Sequence, residues 1–277
     1  MAARVCPYCR ELNSVTEPRC FRCGRRLPGP LSDGVFKLGR ELLGVEAPVT
    51  RLLLLLELAV FALCLLVNRS FSLEGLMGFK SSTLLRLGAL TPALAEREPW
   101  RLLSAVFVHV GVLHLVMNMW MFVDLGRGLE RAVGGARFAL IFLGTGVLGF
   151  MVSDLWYSPF QLTAGASGGV FGEIGAFVGV LWGRRDPQWR SLFARYLIYA
   201  LVLSVVLPNV NTAAHLGGFA SGIGLGFLFG RERSRLRLEM PLRVLAAAGV
   251  LAAVVSVGLA LQSPIWQGVR ARELMNE

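Results

Sequence analysis

Long apolar blocks alternating with short arginine-rich breaks set the frame of this chain. Apolar segments fall at about 50–67, 111–125, 138–157, 165–182, 192–207, 213–230 and 244–261. Each approaches the roughly 20 residues that a helix needs to cross a bilayer. The pattern predicts an all-α polytopic membrane protein with seven spans. The breaks orient it. The connection at 126–137 carries Arg127, Arg131 and Arg137, and the next break on that side carries Arg184, Arg185, Arg190 and Arg195. The third carries Arg231, Arg233, Arg235, Arg237 and Arg243, whereas 158–164 and 208–212 hold no Lys or Arg. The positive-inside bias therefore predicts a cytoplasmic N-terminus and, after seven crossings, a C-terminus outside. A bacterial-type plasma membrane is the expected location. Residues 68–110 are longer and mixed, with Leu84, Leu85, Leu87 and Leu90 beside Lys80, Arg86 and Arg97. They are expected to lie in the outer interface, with Trp100-Arg101 as a headgroup anchor.

Composition agrees with that frame. Of 277 residues, 55% are hydrophobic and 17% charged, too apolar for a soluble domain of this length. The net charge of +10 resides largely in the inner breaks, so the lipid bilayer is the expected partner and no nucleic acid is expected. The polar, basic, cysteine-rich opening does not read as a signal peptide. It holds Cys6-x2-Cys9 and Cys20-x2-Cys23, a spacing suited to tetrahedral zinc ligation by four thiolates. Disulfides are the alternative, but they need an oxidising compartment, and this end is expected in the cytoplasm. A structural zinc in a ribbon-like module over 1–30 is the expectation, since so short a segment owes its fold to the metal. Its partner is unknown. Residues 31–48 follow as a linker, 49–230 as a six-helix membrane core, and 231–277 as a seventh helix and tail. Cys64, within the first span, reads as a small core residue.

Three histidines decide the chemistry. His114 and Asn118 share a helix face at the start of the second span, His109 precedes them, and His215 opens the sixth. Ser167 opens the fourth span within Gly165-Ala166-Ser167-Gly168-Gly169. These spans descend from the same side, so Ser167, His114 and His215 are expected at similar shallow depth. Polar groups inside a bilayer are costly and usually face each other or a wet cavity. A serine beside an imidazole base is the minimal arrangement for acyl transfer. Asn118, His114 and the Ser167 backbone N–H can supply oxyanion donors. Gly217, Gly218 and Gly222 allow close helix approach.

These residues resemble the rhomboid intramembrane serine proteases over about 84–230. The resemblance is carried by Leu87-Gly88-Ala89-Leu90, Pro99-Trp100-Arg101-Leu102 and His109 through Asn118-Met119. It continues in Gly126-x3-Glu130, Gly165-Ala166-Ser167-Gly168 and Ala214-His215-Leu216-Gly217-Gly218 with Gly222. It implies a six-helix core and a Ser167–His215 dyad without an aspartate. His114 and Asn118 become oxyanion donors, and His109 a structural residue. It further implies that no cofactor serves catalysis and that transmembrane protein substrates enter laterally past the fifth span. Phe171 stands where some members carry a tyrosine under the base histidine, and the acids Glu173 and Glu57 lie within spans as expected packing groups.

Two other classes compete with this reading. A catalytically silent relative that binds membrane helices would have lost Ser167 or His215, and both are present. A metal site at His109, His114 and His215 would lack a neighbouring acid on the outer side, and Asn118 is a poor zinc ligand.

Overall fold

The computed structural model describes residues 3–5, 12–14, 17–20, 22–24, 47–69, 72–206, 210–231 and 239–275. The chain divides into two units, Met1–Val45 and Glu46–Glu277. In the first, strands β1 (Ala3–Val5) and β2 (Leu12–Ser14) pair antiparallel, with Arg4 opposite Asn13. Cys6 and Cys9 lie between these strands in sequence and outside the described residues, as does most of the expected linker. Cys20 is buried, and its carbonyl accepts a hydrogen bond from Gly24 N–H, where φ of +68° closes a tight turn over Cys23.

The second unit is helical. Its helices are α1 (Pro48–Asn68), α2 (Leu73–Met77), α3 (Ser81–Leu87), α4 (Pro92–Arg97) and α5 (Arg101–Ser104), which runs into a 3₁₀ turn at Ala105–Phe107. There follow α6 (Val112–Val133), α7 (Gly135–Trp156), α8 (Ser167–Gly183), α9 (Trp189–Val206), α10 (Thr212–Arg231), α11 (Glu239–Gln262) and α12 (Ile265–Met275). Helices α1, α6, α7, α8, α9, α10 and α11 overlie the seven apolar segments in order. Among the described residues, α1, α7, α10 and α11 are each long and apolar enough to cross a membrane. A fifth crossing arises if α5 with its 3₁₀ turn is joined to α6 across a 93° bend. The apolar α8 is 17 residues long. Helix α9 opens with Arg190 and Arg195 in its first two turns, which lowers its apolar character. Leu55, Leu66, Leu155 and Leu251 stand exposed on the outside of the bundle, as side chains facing lipid tails do.

One end of the bundle is tied by Glu130 near the C-terminus of α6. Its carboxylate accepts hydrogen bonds from the Val49 and Thr50 amides at 3.0 and 2.7 Å and from the Thr50 hydroxyl at 2.7 Å. These are first-turn donors of α1, which the helix itself leaves unbonded, and a carboxylate also complements the helix dipole there. At the same end Arg137 of α7 pairs with Glu239 of α11 at 2.8 Å.

The opposite end carries the first turns of α6, α8 and α10 beneath a folded connection, residues 72–110. Its short helices carry their own caps: Ser72 accepts from Gly75 N–H, and Thr91 from Leu94 N–H ahead of Pro92. Arg101 is fully buried here. Its guanidinium pairs with Glu98 and donates to the Leu85 and Ala89 carbonyls at 2.7 and 2.9 Å. The expected headgroup anchor is thus, at Arg101, an internal staple, because Glu98 and the carbonyls of Leu85 and Ala89 surround its guanidinium. Ser263, between α11 and α12, donates to the other oxygen of Glu98 at 2.7 Å.

Candidate active site

Ser167 is the first helical residue of α8 and is half buried. Two interactions with the folded connection steer the chain into this position. Leu90 and Thr163 form an antiparallel bridge with N–H to O distances of 2.9 and 2.8 Å. Gly165 N–H then donates to the Ala105 carbonyl at 2.9 Å. Gly165 has φ of +132°, a conformation that side chains rarely adopt, and a Cβ there would fall 2.6 Å from His114 Cε1. The glycine is required twice, by its backbone and by the imidazole lying against it.

Helices α8 and α10 run parallel and in register, which brings His215 to the end of the bundle where α8 begins. A Cβ on Gly218 would collide with the Gly168 carbonyl, one on Gly222 with Gly172, and one on Gly226 with Ala176. The offset is constant, so His215 lies two residues, about 3 Å along the axis, from the level of Ser167. Phe171, one turn on from Ser167 and on the same face of α8, stacks on the His215 ring with centroids 4.2 Å apart and planes at 13°. The first turn of α10 is held by Asn211, which accepts from Ala214 N–H at 2.9 Å and donates to Ser153 of α7 at 2.7 Å. His215 Nδ1 is buried with no hydrogen-bond partner among the described residues, so no carboxylate orients the ring. The aromatic stack does so instead.

Both expected oxyanion donors lie on α6, with the His114 ring against Gly165. His114 Nδ1 faces the Val110 amide at 3.5 Å, which leaves Nε2 on the side of Gly165. Asn118, nearly buried, donates through Nδ2 to the His114 carbonyl at 2.9 Å; a carboxamide has a second N–H to offer. The first-turn amides of α8 add backbone donors that the helix leaves unused.

His109 is fully buried, its ring 5.1 Å from that of His114 and its Nδ1 3.6 Å from Glu57 of α1. That acid–imidazole pair was not read from the sequence, since the partners are far apart in the chain and share no motif. Glu173 is likewise fully buried in α8, and its oxygens have no hydrogen-bond partner among the described residues. Among the described residues no cluster of three His, Cys, Asp or Glu side chains is arranged to hold a metal ion.

Residues 96–232 match the family described as the rhomboid domain. Over 160 residues the chain is 36% identical to RHOMBOID-like protein 1 of Arabidopsis thaliana, covering 56% of this chain and 41% of that protein. It is 32% identical over 146 residues to the rhomboid protease GluP of Bacillus subtilis, covering 51% of this chain and 28% of that protein. Rhomboid-type serine protease 2 of Emericella nidulans is 30% identical over 154 residues, 54% of this chain and 31% of that protein. The chain spans about half the length, or less, of these curated relatives. The domain match and the relatives support the rhomboid family, and with the apolar helices they support an integral membrane protein.

Proposed function

We propose, from the premise that residues 96–232 carry a rhomboid domain, that this chain is an intramembrane serine endopeptidase cutting transmembrane protein substrates with a Ser167–His215 dyad. The observation that carries the reading is the in-register α8–α10 seam with its Phe171–His215 stack, which sets an imidazole beside the first turn containing the serine.

In this mechanism the Ser167 hydroxyl attacks the scissile carbonyl while His215 takes its proton. The carbonyl oxygen gains negative charge, which the Ser167 amide, His114 Nε2–H and the free N–H of Asn118 stabilise. His215 then returns the proton to the leaving amine, and water hydrolyses the acyl-enzyme by the same steps. Preorganised donors cost no rearrangement as charge develops, and each is worth roughly 10²–10³ in kcat in comparable sites. Water must reach the serine. That requirement fits a site at the helix starts rather than at mid-span.

The orientation we assign follows the arginines. Arg127, Arg131, Arg137, Arg184, Arg185, Arg190, Arg231 and Arg243 all belong to the Glu130 end of the bundle, which supports a cytoplasmic placement of that end. The catalytic end then faces outside. Seven crossings follow if α8 and α9 span with help from neighbours and flanking residues. A structural zinc held by Cys6, Cys9, Cys20 and Cys23 belongs to the same proposal, supported by the Cys-x2-Cys spacing and the tight turn at Cys20–Gly24.

A second reading is favoured by the names of the Arabidopsis thaliana relatives, which are rhomboid-like rather than protease: a silent protein that binds membrane helices. One experiment separates the two. Purified protein in lipid should cleave a single-span substrate and label with a fluorophosphonate. Ser167→Ala should lose both, and His215→Ala should lose turnover. Retention of cleavage by Ser167→Ala removes the dyad, whereas an inert wild type that still binds the substrate establishes the silent reading.

A further inference from the structure

On the same end as Ser167, but on another flank, a cavity of about 100 Å³ lies between the end of α1, the start of α3 and the terminal helix α12. Arg69, Lys80, Arg86 and Arg270 line it against a single carboxylate, Glu273. That carboxylate is already engaged, accepting from the Ser82 amide at 3.0 Å and from the Ser82 hydroxyl. The wall therefore carries more positive than negative charge.

The wall is built rather than incidental. The Arg86 guanidinium lies 4.5 Å from the centroid of Trp266, and its Nε is buried with no hydrogen-bond partner among the described residues. Asn68 fixes the rim, with Oδ1 accepting from Lys80 N–H at 3.3 Å and from the Thr83 hydroxyl at 3.3 Å. Guanidinium groups pair with phosphate through parallel N–H donors, and a buried unpartnered donor is costly until an acceptor arrives. A tryptophan at this level suits the headgroup zone of a bilayer. Below the rim, Leu66 of α1 and Leu261 of α11 are exposed, which leaves apolar surface for lipid tails.

We propose that this cavity is a phosphate-group site which holds the headgroup of an anionic phospholipid and seats α12 on α3 in the membrane. Arg86 and Arg270 bind the phosphodiester, Trp266 covers it, and the acyl chains run down the apolar flank. The proposal is independent of peptide cleavage.

The test uses the full chain in phosphatidylcholine nanodiscs titrated with phosphatidylglycerol, with binding read by native mass spectrometry and stability by thermal midpoint. Phosphatidylglycerol should bind and raise the midpoint. Arg86→Gln and Arg270→Gln should each weaken binding about fivefold. Arg272→Gln, on α12 but not lining the cavity, should not. Arg270 is exposed, so its variant carries the test if Arg86→Gln fails to fold. A second arm adds inorganic phosphate to phosphatidylcholine discs. An equal, arginine-dependent shift there would keep the phosphate site but assign it to a soluble ligand. Lipid binding unchanged in Arg86→Gln and Arg270→Gln, or lowered equally by Arg272→Gln, overturns the site.

Discussion

Replacing Phe171 with leucine would keep a large apolar side chain on α8 but remove the ring on which His215 lies. Stacked aromatic pairs contribute about 0.5–1.5 kcal/mol beyond their buried area. If that energy aligns the base, Phe171→Leu should lower kcat roughly 2–10-fold with little change in KM, while Phe171→Tyr stays near wild type. A fall in KM-dependent binding alone would place the ring outside the dyad. Among the described residues His215 Nδ1 has no hydrogen-bond partner, which makes this test sharper, since no such bond stands ready to replace the stack. At this scale the sequence was most legible where motif and periodicity coincide. Ser167, His215 and His114 stand out because so few polar groups enter the apolar runs. Arg101 was misread, because a Trp-Arg pair at the edge of an apolar segment resembles an interface anchor until the carbonyls of Leu85 and Ala89 are seen around it.

Between elements, the α8–α10 seam sets a steric rule with a built-in control. Gly222 faces the Gly172 carbonyl so closely that any side chain must push the helices apart, whereas a Cβ on Gly224 meets nothing within 4 Å. Gly222→Ala is expected to destabilise by about 1–3 kcal/mol, the usual range for overpacking. Gly224→Ala should be neutral or stabilising by up to about 1 kcal/mol, since alanine is the better helix former. Thermal unfolding in one detergent checks both, and equal midpoints would show that the seam is looser than described. The apolar blocks announced these helices but not all their ends. The segment expected to stop near 125 continues to Val133, because Glu130 and its neighbours serve α1 rather than forming a solvated loop. The connection at 72–110 was expected as a mixed segment lying in the outer interface, not as a buttress for Thr163 and Gly165. Those contacts join stretches some 60–70 residues apart in sequence, and no periodic pattern encodes them.

Across the helical unit, the C-terminal helices beyond the rhomboid-domain match are tied to the end that carries Ser167. Ser263 bonds Glu98, Glu273 bonds Ser82, and the cationic cavity sits at the same junction. The C-terminal helices therefore brace the connection that steers Ser167. The N-terminal unit makes a separate demand. If its four cysteines hold zinc, the protein as purified should contain one zinc per chain, and Cys6→Ser with Cys9→Ser should release it. Unchanged zinc content in that double variant would remove the four-thiolate site.

The glycine row along α8 and α10 has one further property. It repeats every four residues on both helices, so a slip of one turn would set Gly172 against Gly218 and Ala176 against Gly222 with the same small neighbours. The row permits closeness but does not choose between alignments, and a four-residue slip of about 6 Å would carry His215 away from the level of Ser167. The choice falls to the top of α10, where Asn211 both caps its helix and grips Ser153 on a third helix. Asn211→Ala should cost about 1 kcal/mol of stability, as other lost caps do, yet lower cleavage far more than that loss explains. Cleavage that falls only in proportion to stability would mean the alignment is fixed elsewhere. If cleavage falls further than stability, a residue with no part in the proposed chemistry is the one that keeps Ser167 and His215 on the same rung.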